Sequence, residues 1–297
     1  MPGMVMAARP SSRTRYDAAI VAILAVYLLG RAIEVLPFTR PSTPIVALEI
    51  LSALGFALAH GARVYGVRGI GIFVAVCLVV GGGMEAIGLR TGIPFGHYEF
   101  LPLMGPQILR VPILLGLAYV GMAYVSWMVA RLILRTTGAD LSGVQALNVA
   151  VLASAVMTAW DFAQDPVWST LLHAWRWRDG GAWFGVPLTN FGGWLLTTFL
   201  IYAVFAAFLR RLKVGGPVSA DRNARDAVLL YALCALGNVL QLVKPQAESF
   251  VVDGSGTLWR TGSILRASAV ASVLLMGTFV VLAWLRAPEN GLSAIRD

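Results

Sequence analysis

Eight stretches of this chain are each long and apolar enough to cross a bilayer, and little polar sequence separates them. They run approximately over 18–36, 44–62, 69–89, 111–135, 142–161, 191–212, 226–244 and 264–285. A helix needs about twenty apolar residues to span the hydrocarbon core. Within lipid, only helices and closed barrels satisfy their own backbone groups. Charged residues make up 13% of the chain and hydrophobic ones 58%, against roughly 25% charged in soluble domains. The expectation is an all-α integral membrane protein, a polytopic bundle of about eight transmembrane helices. The connections are too short to hold a soluble domain, so residues 1–297 read as one membrane domain, with its helical bundle over 17–290 and polar tails at 1–16 and 287–297. Arg9, Arg13 and Arg15 precede the first run as in a signal peptide. That run is long for a signal and lacks a clear small-residue cleavage site, so it reads as a retained span. Cys77 and Cys234 fall inside apolar runs and read as small core residues.

The 23 Lys and Arg residues give a net charge of +8. They are spread without aromatic interleaving, which speaks for the basic excess of cytoplasmic loops and against a nucleic-acid partner. Arg210, Arg211, Lys213, Arg222 and Arg225 cluster between the sixth and seventh runs. That places both termini on the cytoplasmic side of a cell membrane. The two long connections, 90–110 and 162–190, have two spans between them and therefore share a face. On the same model nine of the 15 acids collect at that face: Glu34, Glu49, Glu85, Glu99, Asp161, Asp165, Asp179, Glu248 and Asp253. Carboxylates near hydrocarbon are costly, and a group of them marks a functional site by default. A simpler role also exists, pairing with Arg31, Arg90, Arg110 or Lys244, above all for Glu34 and Glu49.

Six of the nine tryptophans lie between 160 and 194: Trp160, Trp168, Trp175, Trp177, Trp183 and Trp194. An interfacial belt explains some of them, and the excess suggests aromatic walls around an apolar or cationic species. Asp161 and Asp165 are four apart and share a side if the helix continues. Their spacing is similar to the magnesium-diphosphate motifs of membrane prenyltransferases, but no second acidic cluster accompanies it. Pro166 is expected to end the helix there, with Asp165 capping a new one. Gly-Ile-Pro-Phe at 92–95 and Gly-Val-Pro-Leu at 185–188 echo one another, as a weak internal repeat or as a shared way of turning the chain back into the membrane. No His pair has metal-ligand spacing, so no metal site is expected. His60 falls towards the opposite face, and Gly81, Gly82 and Gly83 read as a helix-packing surface.

The stretches Thr91 to Tyr98, Trp160 to Pro166, Trp175 with Trp177, and Gly185 to Trp194 resemble the membrane carotenoid hydratase family. That family includes the bisanhydrobacterioruberin hydratases and the γ-carotene and lycopene 1,2-hydratases. The likeness covers most of the chain except the first run and the C-terminal tail. Its most specific part is Gly-Val-Pro-x-x-Asn-Phe-x-Gly-Trp. The resemblance implies addition of water across the terminal double bond of an acyclic carotenoid end, giving a tertiary alcohol without redox cofactor or metal. It implies a membrane-dissolved carotenoid as substrate, the bilayer as surroundings and other carotenoid-pathway enzymes as partners.

Markovnikov hydration of such an alkene begins with proton transfer to carbon, and water then captures the tertiary cation. A carboxylic acid with its ordinary pKa near 4 is ionised at neutral pH and cannot donate, whereas burial keeps the proton in place. By depth, Asp161 is the first candidate donor, Glu85 the second and Glu34 the third. Asp165, Glu85 or His97 would orient the water and take its proton, with Asn190 and Tyr98 as hydrogen-bonding groups. Phe95, Trp160, Trp168, Trp175, Trp177, Phe191 and Trp194 would bind the substrate and shield the cation. A carotenoid end-group cyclase shares the first step and differs in what captures the cation. A transporter of a lipophilic molecule is the alternative outside enzymes.

Overall fold

The computed structural model describes residues 12–36, 42–136, 141–212, 220–244 and 249–287. The basic stretch around Arg9, the C-terminal tail, Lys213 and Glu248 lie outside the described residues. Among the described residues, seven helical segments are long and apolar enough to cross a membrane. In chain order the elements are α1 (Ser12–Glu34), α2 (Thr43–Val76) and, beyond a π-helical turn at Cys77–Gly81, α3 (Gly82–Thr91). After the first long connection come α4 (Ile113–Ile133) and α5 (Gly143–Pro166), the latter prolonged by a π-helical turn at Val167–Leu171. Then follow α6 (Leu188–Leu212), α7 (Ala220–Leu240), α8 (Thr261–Ala271) and, after a π-helical turn at Ser272–Met276, α9 (Gly277–Arg286).

Seven segments carry eight crossings because the second is folded on itself. Thr43–Thr91 is 49 residues long. A straight helix of that length would reach about 74 Å, more than twice the roughly 30 Å of a hydrocarbon core. Gly66 interrupts it with φ 71° and ψ 168°, a conformation closed to residues with a Cβ. The chain then turns back: a Cβ placed on Gly61 would lie 2.5 Å from Ile70 Cδ1. Nine residues along a straight helix are about 13.5 Å apart. His60 and Phe73, one on each limb, both pack on the ring of Tyr124 at 5.6 and 5.7 Å between centroids. The limbs 43–65 and 67–91 correspond to the second and third apolar runs.

Helix α4 is the axis of the bundle. Val120, Ala123, Tyr124, Val125, Trp127, Val129 and Ala130 are fully buried on all sides, as expected of a helix that is apolar all round. Close approach is made possible by Gly121, whose Cβ position lies 2.9 Å from Ala53 Cβ. At the end remote from the long loops, the Tyr65 hydroxyl accepts from Trp127 Nε1 at 2.8 Å and from Arg131. His60 Nδ1 lies 2.7 Å from the Tyr124 hydroxyl. This network ties the Gly66 turn to α4.

Helix α5 departs from expectation. It does not end near Asp161; it runs through Pro166 and on to Leu171. Proline has no N–H for the carbonyl four residues back and ordinarily breaks a helix. Here Trp183 Nε1 supplies the missing donor to the Phe162 carbonyl at 3.0 Å. Asp165 therefore lies inside a continuous helix, one turn beyond Asp161, and does not cap a new one. The start of α5 is closed by a capping box between Ser142 and Gln145.

Among the described residues, the loops on the opposite side form three two-stranded antiparallel pieces. Strand β1 (Tyr98–Phe100) pairs with β4 (Trp175–Trp177), β2 (Gln107–Ile108) with β3 (Val111–Pro112), and β5 (Phe250–Val252) with β6 (Leu258–Arg260). The two glycine-proline echoes meet in this layer without being equivalent. Gly92 caps the end of α3 in the left-handed region, while Gly185 precedes the start of α6. Pro187 packs beneath Gly96, and Thr189 Oγ1 donates to the Phe95 carbonyl at 3.0 Å.

Candidate active site

The β1–β4 pair is the roof of a pocket. Its register sets Tyr98 opposite Trp177, Glu99 opposite Arg176 and Phe100 opposite Trp175. Side chains alternate along a strand, so the four aromatic rings face into the bundle and the charged pair faces out. Outside, Glu99 accepts from Arg176 and, at 3.3 Å, from Arg178. These hydrogen bonds, Arg176 first, hold the Glu99 carboxyl below its ordinary pKa. The roof is thus pinned by charge above and packed by rings beneath.

Under it lies a cavity of about 310 Å³, partly open to the outside. Its lining contains Glu85 from α3, Asp161 and Asp165 from α5, and Asn190 from α6, all 4% exposed or less. Phe95, Tyr98, Phe100, Leu115, Trp175, Trp177 and Trp194 also line the wall, and among the described residues no Lys, Arg or His contributes to it. Three carboxyl groups share one apolar space with no cation among the described residues to balance them.

Each carboxyl is held differently. Glu85 accepts from Tyr98 at one oxygen and from Tyr119 at the other, the latter at 2.8 Å. Burial first, then the Glu85 charge, holds the Tyr98 phenol well above its usual pKa, so it remains a donor. Asp165 receives Trp175 Nε1 at 3.0 Å and Trp177 Nε1 at 3.2 Å on Oδ1, and Asn190 Nδ2 at 2.7 Å on Oδ2. Asp161 takes a single bond, from Asn190 Nδ2 to Oδ2 at 2.9 Å. Its Oδ1 has no hydrogen-bond partner among the described residues and belongs to the pocket wall.

A second cavity, of about 630 Å³, shares Leu115 and Trp175 with the first. Trp160 and Trp168 line this one. Trp168 stacks on Trp175 with planes 8° apart, and Tyr119 stacks on Trp194 at 4.8 Å.

Of the residues singled out from sequence, Asp161, Asp165, Glu85, Asn190, Tyr98, Phe95, Trp175, Trp177 and Trp194 converge on the first cavity, and Trp160 and Trp168 on its neighbour. Phe191 packs on Phe162 at 4.7 Å, outside both linings. His97 does not join the site. One residue before Tyr98, it lies on the outer side of the roof, with its side chain 61% exposed and Nδ1 2.9 Å from Asp179. The strand alternation that turns Tyr98 inward turns its neighbour out. Glu34 is likewise removed from the donor role: with Glu49 it pairs to Arg31, at 2.7 and 3.0 Å. Asp253 organises the β5–β6 turn through Ser255, Thr257 and Trp259. Partial burial works against its charge, yet these bonds hold its pKa below the ordinary value. Sequence reasoning missed Tyr119, which sits in the middle of an apolar run. Its hydroxyl in a stretch expected to be fully buried was the available signal, because a buried phenol needs a partner. Among the described residues no three His, Cys, Asp or Glu side chains are placed so that they could hold a metal ion together.

Fold and cavity together define a polytopic helical membrane protein with an acid-lined, aromatic-walled pocket under one face. Residues 45–252 match the family model described as carotenoid biosynthesis protein, and the chain belongs to that family. The family points to a biosynthetic role at a lipid-dissolved carotenoid. No curated protein and no solved structure matches the chain.

Proposed function

We propose that the protein is a carotenoid hydratase, adding water to the terminal double bond of an acyclic carotenoid end. The observation that carries this reading is the unmatched Asp161 Oδ1 in a pocket with three carboxyl groups and, among the described residues, no cation. Two carboxylates bridged by one amide repel one another in a dry site, and a proton kept on one of them relieves the repulsion. Asp165 is saturated by three donors, which suits an anion. Asp161, with one donor and a free oxygen, is the natural holder of the proton.

In the reaction the Asp161 proton adds to the less substituted olefinic carbon, and the π electrons form the new C–H bond. The positive charge develops on the tertiary carbon, beside the ring faces of Trp175, Trp177 and Trp194 and the anions Asp165 and Glu85. A water oxygen bonds to that carbon, and the proton it sheds returns to the Asp161–Asp165 pair. Alkene and water give the tertiary alcohol, and the acid is restored. Tyr98 and Tyr119 keep Glu85 in place as a fixed negative charge. From the basic cluster at Arg210 to Arg225 we place both termini on the cytoplasmic side.

The test is expression in a lycopene-producing bacterial host, with the mass of the pigment measured. A gain of one water, or of two if both ends react, is the expected result. An isomer of unchanged mass would instead make the protein a cyclase, and an unaltered pigment would reject both activities.

A further inference from the structure

Two of the three strand pairs leave apolar side chains uncovered. In β2–β3, Ile108 pairs with Val111, and Leu109 and Arg110 form the turn between them. Both turn residues have positive φ, 51° and 70°. A two-residue turn of that kind favours Asn and Gly, so leucine and arginine are poor choices for the bend itself. In β5–β6, Phe250 stands opposite Arg260 and Val252 opposite Leu258. Alternation puts these four on one side of the hairpin. Trp259 turns the other way and packs on Phe184 at 5.2 Å. Ile108, Leu109, Phe250, Val252 and Leu258 are each 50–73% exposed.

Their level along the bundle says what meets them. Helix α4 has 21 residues, a rise of about 31 Å, which matches one hydrocarbon core. Its first residue, Ile113, therefore lies at the edge of that core. Ile108 is level with Val111, two residues or about 7 Å beyond Ile113, within the headgroup layer of about 5–8 Å on each side. In β5–β6 the Phe250–Arg260 pair adjoins the start of α8, and the Val252–Leu258 pair is two residues farther out. Each hairpin also exposes an arginine, Arg110 in the first and Arg260 in the second, the latter 5.8 Å over the Phe250 ring. Neither pairs with a carboxylate among the described residues. Apolar side chains beside a free guanidinium suit the boundary between acyl chains and phosphates.

Position favours lipid over a protein partner. Strand β3 packs on the ends of α3 and α4, whereas β5 packs on the extension of α5 and β6 on α8. The hairpins thus flank the β1–β4 roof on different sides. A bilayer surrounds the bundle and meets both, while one protein could reach both only across the roof.

We propose that these two hairpins are lipid-interface anchors. Their apolar side chains enter the acyl boundary of the leaflet on the long-loop side, and Arg110 and Arg260 meet its phosphates. The roof between them is held in the headgroup layer. The mouth of the acid-lined cavity then opens where a polyene from the lipid and water from outside both arrive. Only that last link rests on the hydratase reading.

Depth-dependent quenching tests the anchors apart from turnover. Single cysteines replace Leu109, Leu258 and, as a water-facing reference, Asp179, whose side chain is 74% exposed on the outer side of the roof. Each full-length protein is labelled with bimane in nanodiscs of phosphatidylcholine and phosphatidylglycerol. The wild-type chain, whose Cys77 and Cys234 are buried, is the labelling blank. With Leu109→Cys and Leu258→Cys, a lipid spin-labelled near its carbonyl is expected to remove most of the emission, and aqueous iodide little. Asp179→Cys is expected to show the reverse. Strong quenching by iodide at the two hairpins would overturn the proposal, because they would then face water. Quenching by neither agent would also overturn it, by placing a second copy of the chain over them. Ile108→Cys and Val252→Cys give the same readout on the same hairpins should a first variant fail to fold. An unaltered pigment in lycopene-producing cells would remove the hydratase reading and leave this measurement intact.

Discussion

Asp161 and Asp165 sit one helical turn apart and share the same amide, yet their replacement by asparagine should have opposite consequences. Asp161 accepts one hydrogen bond and Asp165 three. In Asp161→Asn, the new side chain can turn its carbonyl oxygen to Asn190 and its amide into the open pocket. The bond at 2.9 Å survives as a neutral one, and the loss of stability should be about 1 kcal/mol or less. In Asp165→Asn, one oxygen can still receive the two indoles, each bond weakened by loss of the charge. The other oxygen becomes an NH₂ facing the Asn190 NH₂ now 2.7 Å away. Two donors then confront each other in a site 1% exposed. One stranded group costs about 1–3 kcal/mol and the weakened pair adds about 1–2, giving about 2–5 kcal/mol in all.

Activity should divide the other way. Removing a general acid costs about 10²–10⁴ in rate, and an unactivated alkene offers no alternative route to the cation. Asp161→Asn should therefore lower pigment hydration at least a hundredfold, with wild-type thermal stability in detergent. Asp165→Asn should unfold at markedly lower temperature while the folded fraction keeps measurable turnover. Thermal stability is read by fluorescence-detected size exclusion after heating, and turnover by pigment mass. An Asp161→Asn protein that hydrates normally would refute the assignment, and so would a stable, inactive Asp165→Asn protein, which would move the donor role to Asp165.

Tyr119→Phe removes one of two donors to Glu85 and should cost about 1.5–3 kcal/mol in stability, an effect that shrinks in a Glu85→Gln background if the bond is what matters. Gly66→Ala meets no neighbour within 4 Å but forces a left-handed φ on a residue with a Cβ. It should cost about 1–3 kcal/mol, seen as reduced yield of folded protein without change in substrate preference. The Glu99 carboxyl has a lowered folded-state pKa, so its pinning of the roof should be complete above the ordinary glutamate value of about 4.3 and be lost as pH falls below it. Hydrogen exchange at Tyr98 to Phe100, corrected for intrinsic rates, should rise in that acidic window in wild type and already be raised at pH 7 in Glu99→Gln. Reporter fusions at both ends should be active only for cytoplasmic placement.

How much of this was readable beforehand follows from how far each signal reaches along the chain. Apolar runs are local, and all eight appear as crossings, with the second and third joined at Gly66. Their connectivity depends on a backbone angle at a glycine with no marking neighbours, in a sequence where many glycines are ordinary. The common face of the two long loops followed from parity alone, and it brought Glu85, Asp161 and Asn190 together correctly. Depth along the bundle did not distinguish among the nine acids. Glu34 and Glu49 lie at the right level but meet Arg31, and that meeting depends on Gly30 and Gly237 letting three helices approach. The capping role weighed for Asp165 fails because the rescue of Pro166 comes from Trp183, seventeen residues on. His97 was misread because the strand β1 was not foreseen, and a one-residue step along a strand reverses the face a side chain occupies.

The same alternation explains why tryptophan is concentrated where it is. Aromatic walls around a cation could be built from phenylalanine, which is cheaper to bury because it has no polar atom to satisfy. Trp175 and Trp177 do something phenylalanine cannot: their rings help to line the pocket while their N–H groups converge on Asp165 Oδ1. One residue type thus supplies both an apolar surface for a polyene and the donors that keep a carboxylate charged beneath it. Replacing both by phenylalanine would leave the wall nearly as apolar but deprive Asp165 of two of its three donors. Its pull on the proton shared with Asp161 would then grow, so the double variant should bind carotenoid normally, quenching the remaining tryptophans, yet hydrate it poorly. Loss of binding in that variant would show instead that the indoles matter for shape alone.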